Sequence, residues 1–161
     1  MLHKDIPKVS LVVVYVWKGR AYIPIQAQYE SGIFVGIEPV IIASLNIEEM
    51  AEAVRAVKDA GHKRLPDPKT REEFLARKDP VLEATHARSW KQLAKTGASY
   101  TIGWTENEVR IDMSRLDKKG RWEYDLEKAR ILPSDTPIDQ IVEIILEDLK
   151  ARPEALKMNN Y

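Results

Sequence analysis

Glu83 and His86 stand three residues apart on a segment that reads as helix. That Glu-x-x-His spacing is how one helix contributes to a carboxylate-rich metal site, which also needs carboxylates and histidines from other helices. Neither His3 nor His62 forms a spaced pair with another histidine. The pair therefore reads first as an exposed contact along one helix face. His62 follows a helix stop at Gly61, where a cation suits the negative end of the helix. A second acidic group, Glu106, Glu108 and Asp112, lies on or beside a hairpin, and Asp125 and Glu127 follow its third strand. Glu108, Arg110 and Asp112 share a strand parity and so one face. Carboxylates gathered there with a lysine would suit a metal-dependent nuclease or another hydrolase. Alternating charge on a solvated sheet face explains the same pattern, and no second motif fixes a catalytic geometry. With no cysteine in the chain, disulfides, thiolate metal sites and cysteine nucleophiles are excluded. There is no Gly-x-Ser-x-Gly elbow, and the spacing of Gly32 and Gly36 fits no phosphate-binding loop. No cofactor and no metal are expected, and the reading leans away from an enzyme.

The aromatic residues point elsewhere. Trp17, Trp90, Trp104 and Trp122, with Tyr15, Tyr22, Tyr100 and Tyr124, fall mostly in extended segments. Core packing takes most of them. Any left on an outer sheet face makes a binding surface, because Trp and Tyr concentrate interface energy. Trp104 and Trp122 bracket the charged hairpin, so the expected binding set is Trp104, Glu106, Glu108, Arg110, Asp112 and Trp122. Basic residues Lys63, Arg64, Lys69 and Arg71, and again Lys118, Lys119 and Arg121, read as solvated loops.

The elements that must position these residues are written locally. Tyr100, Ile102 and Trp104 alternate with smaller or polar residues. Val109, Ile111 and Met113 alternate with Arg110, Asp112 and Ser114. This is a meander with one dry face, turning at Glu106–Asn107 and at Asp117–Gly120, with a third strand from about Arg121. Val9 to Trp17 reads as a central strand buried on both faces. Ala21 to Tyr29 is a strand that Pro24 assigns to an edge or a bulge. Two short strands, 33–37 and 40–44, are split by Glu38-Pro39. Asn46 with Glu49 caps a helix that Gly61 stops. Thr136 and Pro137 open a last helix as cap and first residue, and Pro153 ends it. Between them, residues 62–99 read as an insert of loop and short helices, capped at Thr70 and Asp79. Leu126 to Leu132 is ambiguous.

The expectation is a single α+β domain over residues 1–161, an antiparallel or mixed sheet with two main helices packed on one face. Residues 154–161 read as a disordered tail. The 161 residues are 44% hydrophobic and 31% charged, as in a globular protein, and 25 basic residues balance 25 acidic ones. That balance argues against long-range attraction to nucleic acid or an anionic membrane. The N-terminal residues show no apolar signal core, and no apolar run is long enough for a bilayer. A cytoplasmic location is the default. Unpaired strands would permit a homodimer.

The plan resembles that of small bacterial immunity proteins, which neutralise toxins of contact-dependent inhibition and related systems. The likeness lies in a cysteine-free α+β domain of this size with a Trp-bearing meander, Tyr100-Thr101-Ile102-Gly103-Trp104 through Arg121-Trp122-Glu123-Tyr124, and no catalytic set. It implies a non-catalytic partner of another protein, a toxin domain, acting by blocking its active site. Many immunity proteins are acidic to match basic nucleases; this chain is neutral, which argues against a nuclease partner.

Overall fold

Valine's branched Cβ favours extended backbone, and the run from Leu11 to Trp17 forms the middle of the sheet. The computed structural model describes residues 9–158; His3 and the last part of the expected tail, 159–161, lie outside it. In chain order the elements are β1 (Ser10–Trp17), β2 (Arg20–Tyr29), β3 (Phe34–Ser44), α1 (Ile47–Ala60) and β4 (Arg64–Leu65). Then come α2 (Arg71–Ala76), α3 (Pro80–Thr85), α4 (Trp90–Thr96), β5 (Ala98–Trp104) and β6 (Glu108–Leu116). The chain closes with β7 (Trp122–Tyr124), β8 (Arg130–Pro133), α5 (Ile138–Leu149) and α6 (Pro153–Leu156). This is an α+β fold, with an eight-stranded sheet in the order β3-β2-β1-β5-β6-β7. β8 joins β6, and the two residues of β4 pair parallel to β2, so the sheet is mixed. No helix among the described residues is long and apolar enough to cross a membrane.

The period of two decides what each face buries. Val12, Val14 and Val16 of β1, Tyr100 and Ile102 of β5, and Val109 and Ile111 of β6 are inaccessible to solvent on one face. They meet Met50, Val54 and Val57 of α1 and Ile141, Val142, Ile145 and Leu149 of α5 in one continuous core. Each such large side chain contributes about 1.5–3 kcal/mol. The two long helices thus pack on one face, as the pattern implied. Ile47, the first residue of α1, shares the apolar spacing of Met50 and Val54 but is exposed.

The opposite face carries a smaller cluster. Trp17 and Tyr22 of the sheet pack there with Val81 of α3 and Leu93 of α4. The 62–99 region therefore contributes one strand and three short helices, two of which cover part of this second face. The half-buried second face of β1 follows: Tyr15 is covered by this layer, but less completely than the valines.

Caps and turns follow their side chains, with some corrections. The Asn46 Oδ1 accepts the Glu49 N–H at 2.8 Å, and Gly61 closes α1 at φ 71°. Thr70, Asp79 and Ser89 cap α2, α3 and α4 in the same way. Pro24 lies in an inner strand, so of the two alternatives the bulge is the one adopted. Pro24 pairs with Val40 and Ile25 with Ile37. Glu38 and Pro39 are thus looped out of one continuous β3 and do not split it in two. Thr136 does not cap α5: its hydroxyl donates to the Pro133 carbonyl at 2.7 Å, and Pro137 occupies the cap position. Pro153 opens α6, whereas α5 has already ended at Leu149. The tail expected from residue 154 has an anchor at its start, since Ala155 is buried and its carbonyl accepts the Gly19 N–H at 3.0 Å.

His62 has a different role from the one its position suggested. Its Nε2 accepts the Leu11 N–H at 2.9 Å, and its Nδ1 lies 2.8 Å from the Gln26 carbonyl. A nitrogen that accepts carries no proton, so the ring is neutral with its hydrogen on Nδ1. It ties β1 to β2 and is not a cation at a helix end.

Candidate functional site

The face of the sheet turned away from α1 and α5 is only partly covered, and the site grows from what β1, β5 and β6 place there. Partners directly opposite in an antiparallel pair share a face. Thr101 pairs with Val13 on one side and Asp112 on the other. Ser99 pairs with Tyr15. The residues that alternate with Tyr100, Ile102 and Trp104 are thus short ones, and they leave a shallow floor.

β6 parts from β5 after Met113. At that point the Ser114 Oγ, not a backbone carbonyl, accepts the Ser99 N–H at 2.9 Å. Beyond it β6 pairs with β7, with Ser114 opposite Tyr124 and Leu116 opposite Trp122. β7, on the edge of β6 opposite β5, stands beside the floor and borders a groove of about 430 Å³. Val13, Ser99, Thr101 and Ser114 make its base; Tyr15, Trp90, Trp122, Glu123 and Tyr124 make its walls.

The walls are held by ring packing. Tyr15 lies 5.2 Å from Trp90 and 5.8 Å from Trp122, and the two tryptophans are 6.3 Å apart, centroid to centroid. These separations fit tilted and edge-to-face contacts. Burial, with smaller contributions from the Asp79 and Tyr124 charges, pushes the Tyr15 hydroxyl far above the usual tyrosine range. It stays a neutral phenol at physiological pH. Tyr124 is 55% exposed and offers its ring to an incoming group. Glu123 stands between Trp122 and Tyr124 in β7, and its carboxylate turns to the other face, where it meets its strand partner Arg115 at 3.2 Å.

The expected binding residues divide between the faces. Glu108, Arg110 and Asp112 do share the outer face, and the Arg110 Nε donates to both Asp112 oxygens at 3.0 and 3.1 Å. Trp122 lines the groove beside them. Glu106 is exposed in the turn that the Thr105 N–H to Glu108 carbonyl bond closes at 2.9 Å. Trp104 lies on the other face. It pairs with Val109, is 8% exposed and carries the Lys58 ammonium 5.1 Å from its ring centre. Its parity with Tyr100 and Ile102 required this, and its place in the binding set is corrected to the core.

Glu83 and His86 do not join the meander carboxylates. Glu83 lines a separate hollow with Glu38, Pro39 and Pro80, and His86 is exposed at the left-handed C-cap of α3. Among the described residues no three His, Cys, Asp or Glu side chains group to hold a metal. A larger cleft of about 720 Å³ lies along α5, but its charges are partly spent on each other, with Lys128 3.7 Å from Asp148. At its floor the buried Tyr100 hydroxyl donates to Asp148 at 2.6 Å, and the Arg152 Nε reaches the same oxygen at 2.8 Å. That network ties α5 to the sheet.

Of the groove lining only Trp122 is in the expected binding set; Tyr15, Trp90 and Tyr124 are among the aromatics open to either role, and Val13, Ser99, Thr101 and Ser114 are missed. A usable signal existed in the alternation of Ser99, Thr101 and Gly103, since a file of short side chains on one strand face marks where a sheet has room.

No family model and no curated protein matches the sequence. Solved structures match it in fold, two of them as follows. One is a protein of unknown function from Neisseria meningitidis, 14% identical, with a TM-score of 0.63, covering 88% of this chain and 94% of that one. The other is a chain of a CdiA-CT/CdiI toxin and immunity complex from Yersinia pseudotuberculosis, 15% identical, with a TM-score of 0.63, covering 95% of this chain and 100% of that one. At such identities the likeness is one of fold: the chain shares its whole architecture with a member of a toxin and immunity complex.

Proposed function

We propose that this protein is a non-catalytic binding partner of another protein, an immunity protein that neutralises a toxin domain by covering its active site. The observation that carries the reading is the aromatic groove on the outer sheet face, flanked by the Glu108-Arg110-Asp112 file. A rigid sheet backed by a dry core presents it, and immobile aromatic side chains lose little entropy on binding. The fold shared with a chain of a toxin and immunity complex supports the same reading. Glu106, Glu108, Arg110 and Asp112 would orient the partner by charge, and Trp122 would anchor it. A two-fold homodimer through the edge strand β3 is disfavoured by charge. The hollows on either side of that edge are lined by Glu38 with Glu83 and by Glu49 with Glu52. Two copies would bring these carboxylates together, so the groove is the favoured interface.

The test is co-purification of tagged protein from its native host, identification of what stays bound, and co-expression of that partner. A toxin domain should be retained, and its growth inhibition relieved by the wild-type protein but weakly by Trp122→Ala. If no protein is retained, or if the toxin still kills in the presence of the wild-type protein, the proposal is wrong.

A further inference from the structure

We infer that the surface where α4 lies along the β6–β7 hairpin docks an acidic segment of the partner protein, an inference that rests on the protein-binding reading above. Lys118 and Lys119 alone are a solvated turn. The fold brings a second basic element to them. The Lys91 Cε stands 3.4 Å from where a Cβ on Gly120 would lie. One helical turn on, Lys95 shares a hollow of about 170 Å³ with Arg115 and Trp122. The Trp90 and Trp122 rings, 6.3 Å apart, join helix to hairpin.

The charge gathered there is one-sided. Segments 86–96 and 115–123 together hold seven Lys or Arg and two acidic residues, in a chain of zero net charge. Both acidic residues are already taken up, Asp117 by Arg121 and Glu123 by Arg115, each at 3.2 Å. Glu154, which also lines the hollow, is held by Lys157 at 2.8 Å. Arg88, Lys91, Lys95, Lys118 and Lys119 are exposed and form no ion pair among the described residues. Like charges so placed repel, and two lysines four apart on one helix are a destabilising pair by themselves. Nothing within the fold relieves this; carboxylates of a partner do. A nucleic acid fits less well. Neutral total charge gives no long-range pull on a polyanion. A phosphate backbone running on along β6 would next meet Glu123, Asp125, Asp112 and Glu108. A short acidic segment ends before them.

The probe is a capped pentapeptide of alternating glutamate and aspartate, titrated into the intact protein at about 25 mM salt. Its glutamine–asparagine counterpart and a hexathymidylate without terminal phosphate, equal to the probe in charge, are the comparisons. Amide shifts of Lys91, Lys95 and Gly120 and the Trp90 and Trp122 indole signals report occupancy. The acidic peptide should shift them saturably, with its neutral counterpart weaker by about tenfold or more. Raising the salt to about 200 mM should remove most of that difference. Lys91→Gln with Lys95→Gln, and Lys118→Gln with Lys119→Gln, all at exposed positions, should each weaken binding by about two- to twentyfold. Equal binding of the neutral peptide, tighter binding of hexathymidylate, or no saturable shift at these residues overturns the inference.

A second arm separates this failure from failure of the parent reading. The variant with all four lysines replaced, checked for its native thermal transition, is tested for capture of the partner identified above at low and high salt. Its association should be slower by about tenfold or more at low salt and closer to wild type at high salt. Equal capture by variant and wild type at low salt removes the acidic segment and leaves the protein-binding reading. If no partner is retained even by the wild type, the protein-binding reading is removed and the docking surface with it.

Discussion

Replacing Tyr100 by Phe takes away one hydroxyl from the point where α5 is joined to the sheet. The ring stays, with its packing in the core and with the Arg152 guanidinium 5.7 Å from its centre. What goes is the 2.6 Å bond to Asp148, a carboxylate 10% exposed. A hydrogen bond to a charged group contributes about 1.5–3 kcal/mol. For a domain of this size that is a fall in Tm of about 3–12 °C. Asp148 keeps Arg152 at 2.8 Å and Lys128 at 3.7 Å, so it is not left unpaired and the loss should not exceed this range. The same residue makes an alkaline prediction. Burial first, then the bond to Asp148 and its charge, push the Tyr100 hydroxyl far above its ordinary value, against an opposing effect of Arg152. Above about pH 10 the unfolded chain sheds this proton while the folded chain keeps it. The stabilisation is complete below that pH and is lost as pH rises, at about 1.4 kcal/mol per pH unit. Tyr15, raised likewise, adds an equal slope. Urea unfolding followed by tryptophan fluorescence from pH 7 to 11.5 should show Tyr100→Phe losing stability about half as steeply as the wild type above pH 10. A loss under about 0.5 kcal/mol at pH 7, or an unaltered alkaline slope, would refute the account of this network.

Two further substitutions probe other joints. His62→Ala removes the ring that bridges Leu11 and Gln26, leaving a half-buried N–H and carbonyl unpartnered, and should cost about 1–3 kcal/mol. Hydrogen exchange of the Leu11 amide checks it directly, and unchanged protection there would show that the bridge does not matter. Asp117 accepts the Lys119 and Arg121 N–H groups at 2.8 and 2.9 Å in the second meander turn. The Arg121 N–H bond is the main cause that holds its carboxyl below the usual range. Its contribution is therefore present above about pH 4 and lost as pH falls through the lowered value. Asp117→Asn should unfold at lower urea than the wild type at pH 7, and the two curves should converge below about pH 3. A gap that persists on acidification would assign the effect to the side chain's shape and not its charge.

How far the chain declares its structure depends on the distance over which each piece of information acts. Alternation in Tyr100–Trp104 and Val109–Met113 is a property of neighbours, and it correctly assigned Arg110 and Asp112 to the outer face. Applied consistently, it also assigned Trp104 to the core, because Trp104 has the parity of Tyr100. Caps at Asn46, Thr70 and Asp79 act over three residues and were legible for that reason. Thr136 shows the limit of such rules: one hydroxyl can cap forward or bond backward, and the Pro133 carbonyl won. The strand β8 was illegible because its pairing with β6 lies across the β7 turn, and Arg130–Pro133 has no alternation of its own. The groove is the strongest case. It needs Tyr15 set beside Ser99, more than eighty positions away in the chain, and Trp90 brought over both by α4. The residue types mark candidates one by one, but their meeting is not written in any of them. What completes the site is that β7, on the other edge of β6, folds back beside Ser114 while Trp90 arrives from α4, and only the second of these contacts is non-local. A binding surface assembled this way can change its occupant by exchanging a few floor and wall side chains while the valine-rich core beneath stays as it is.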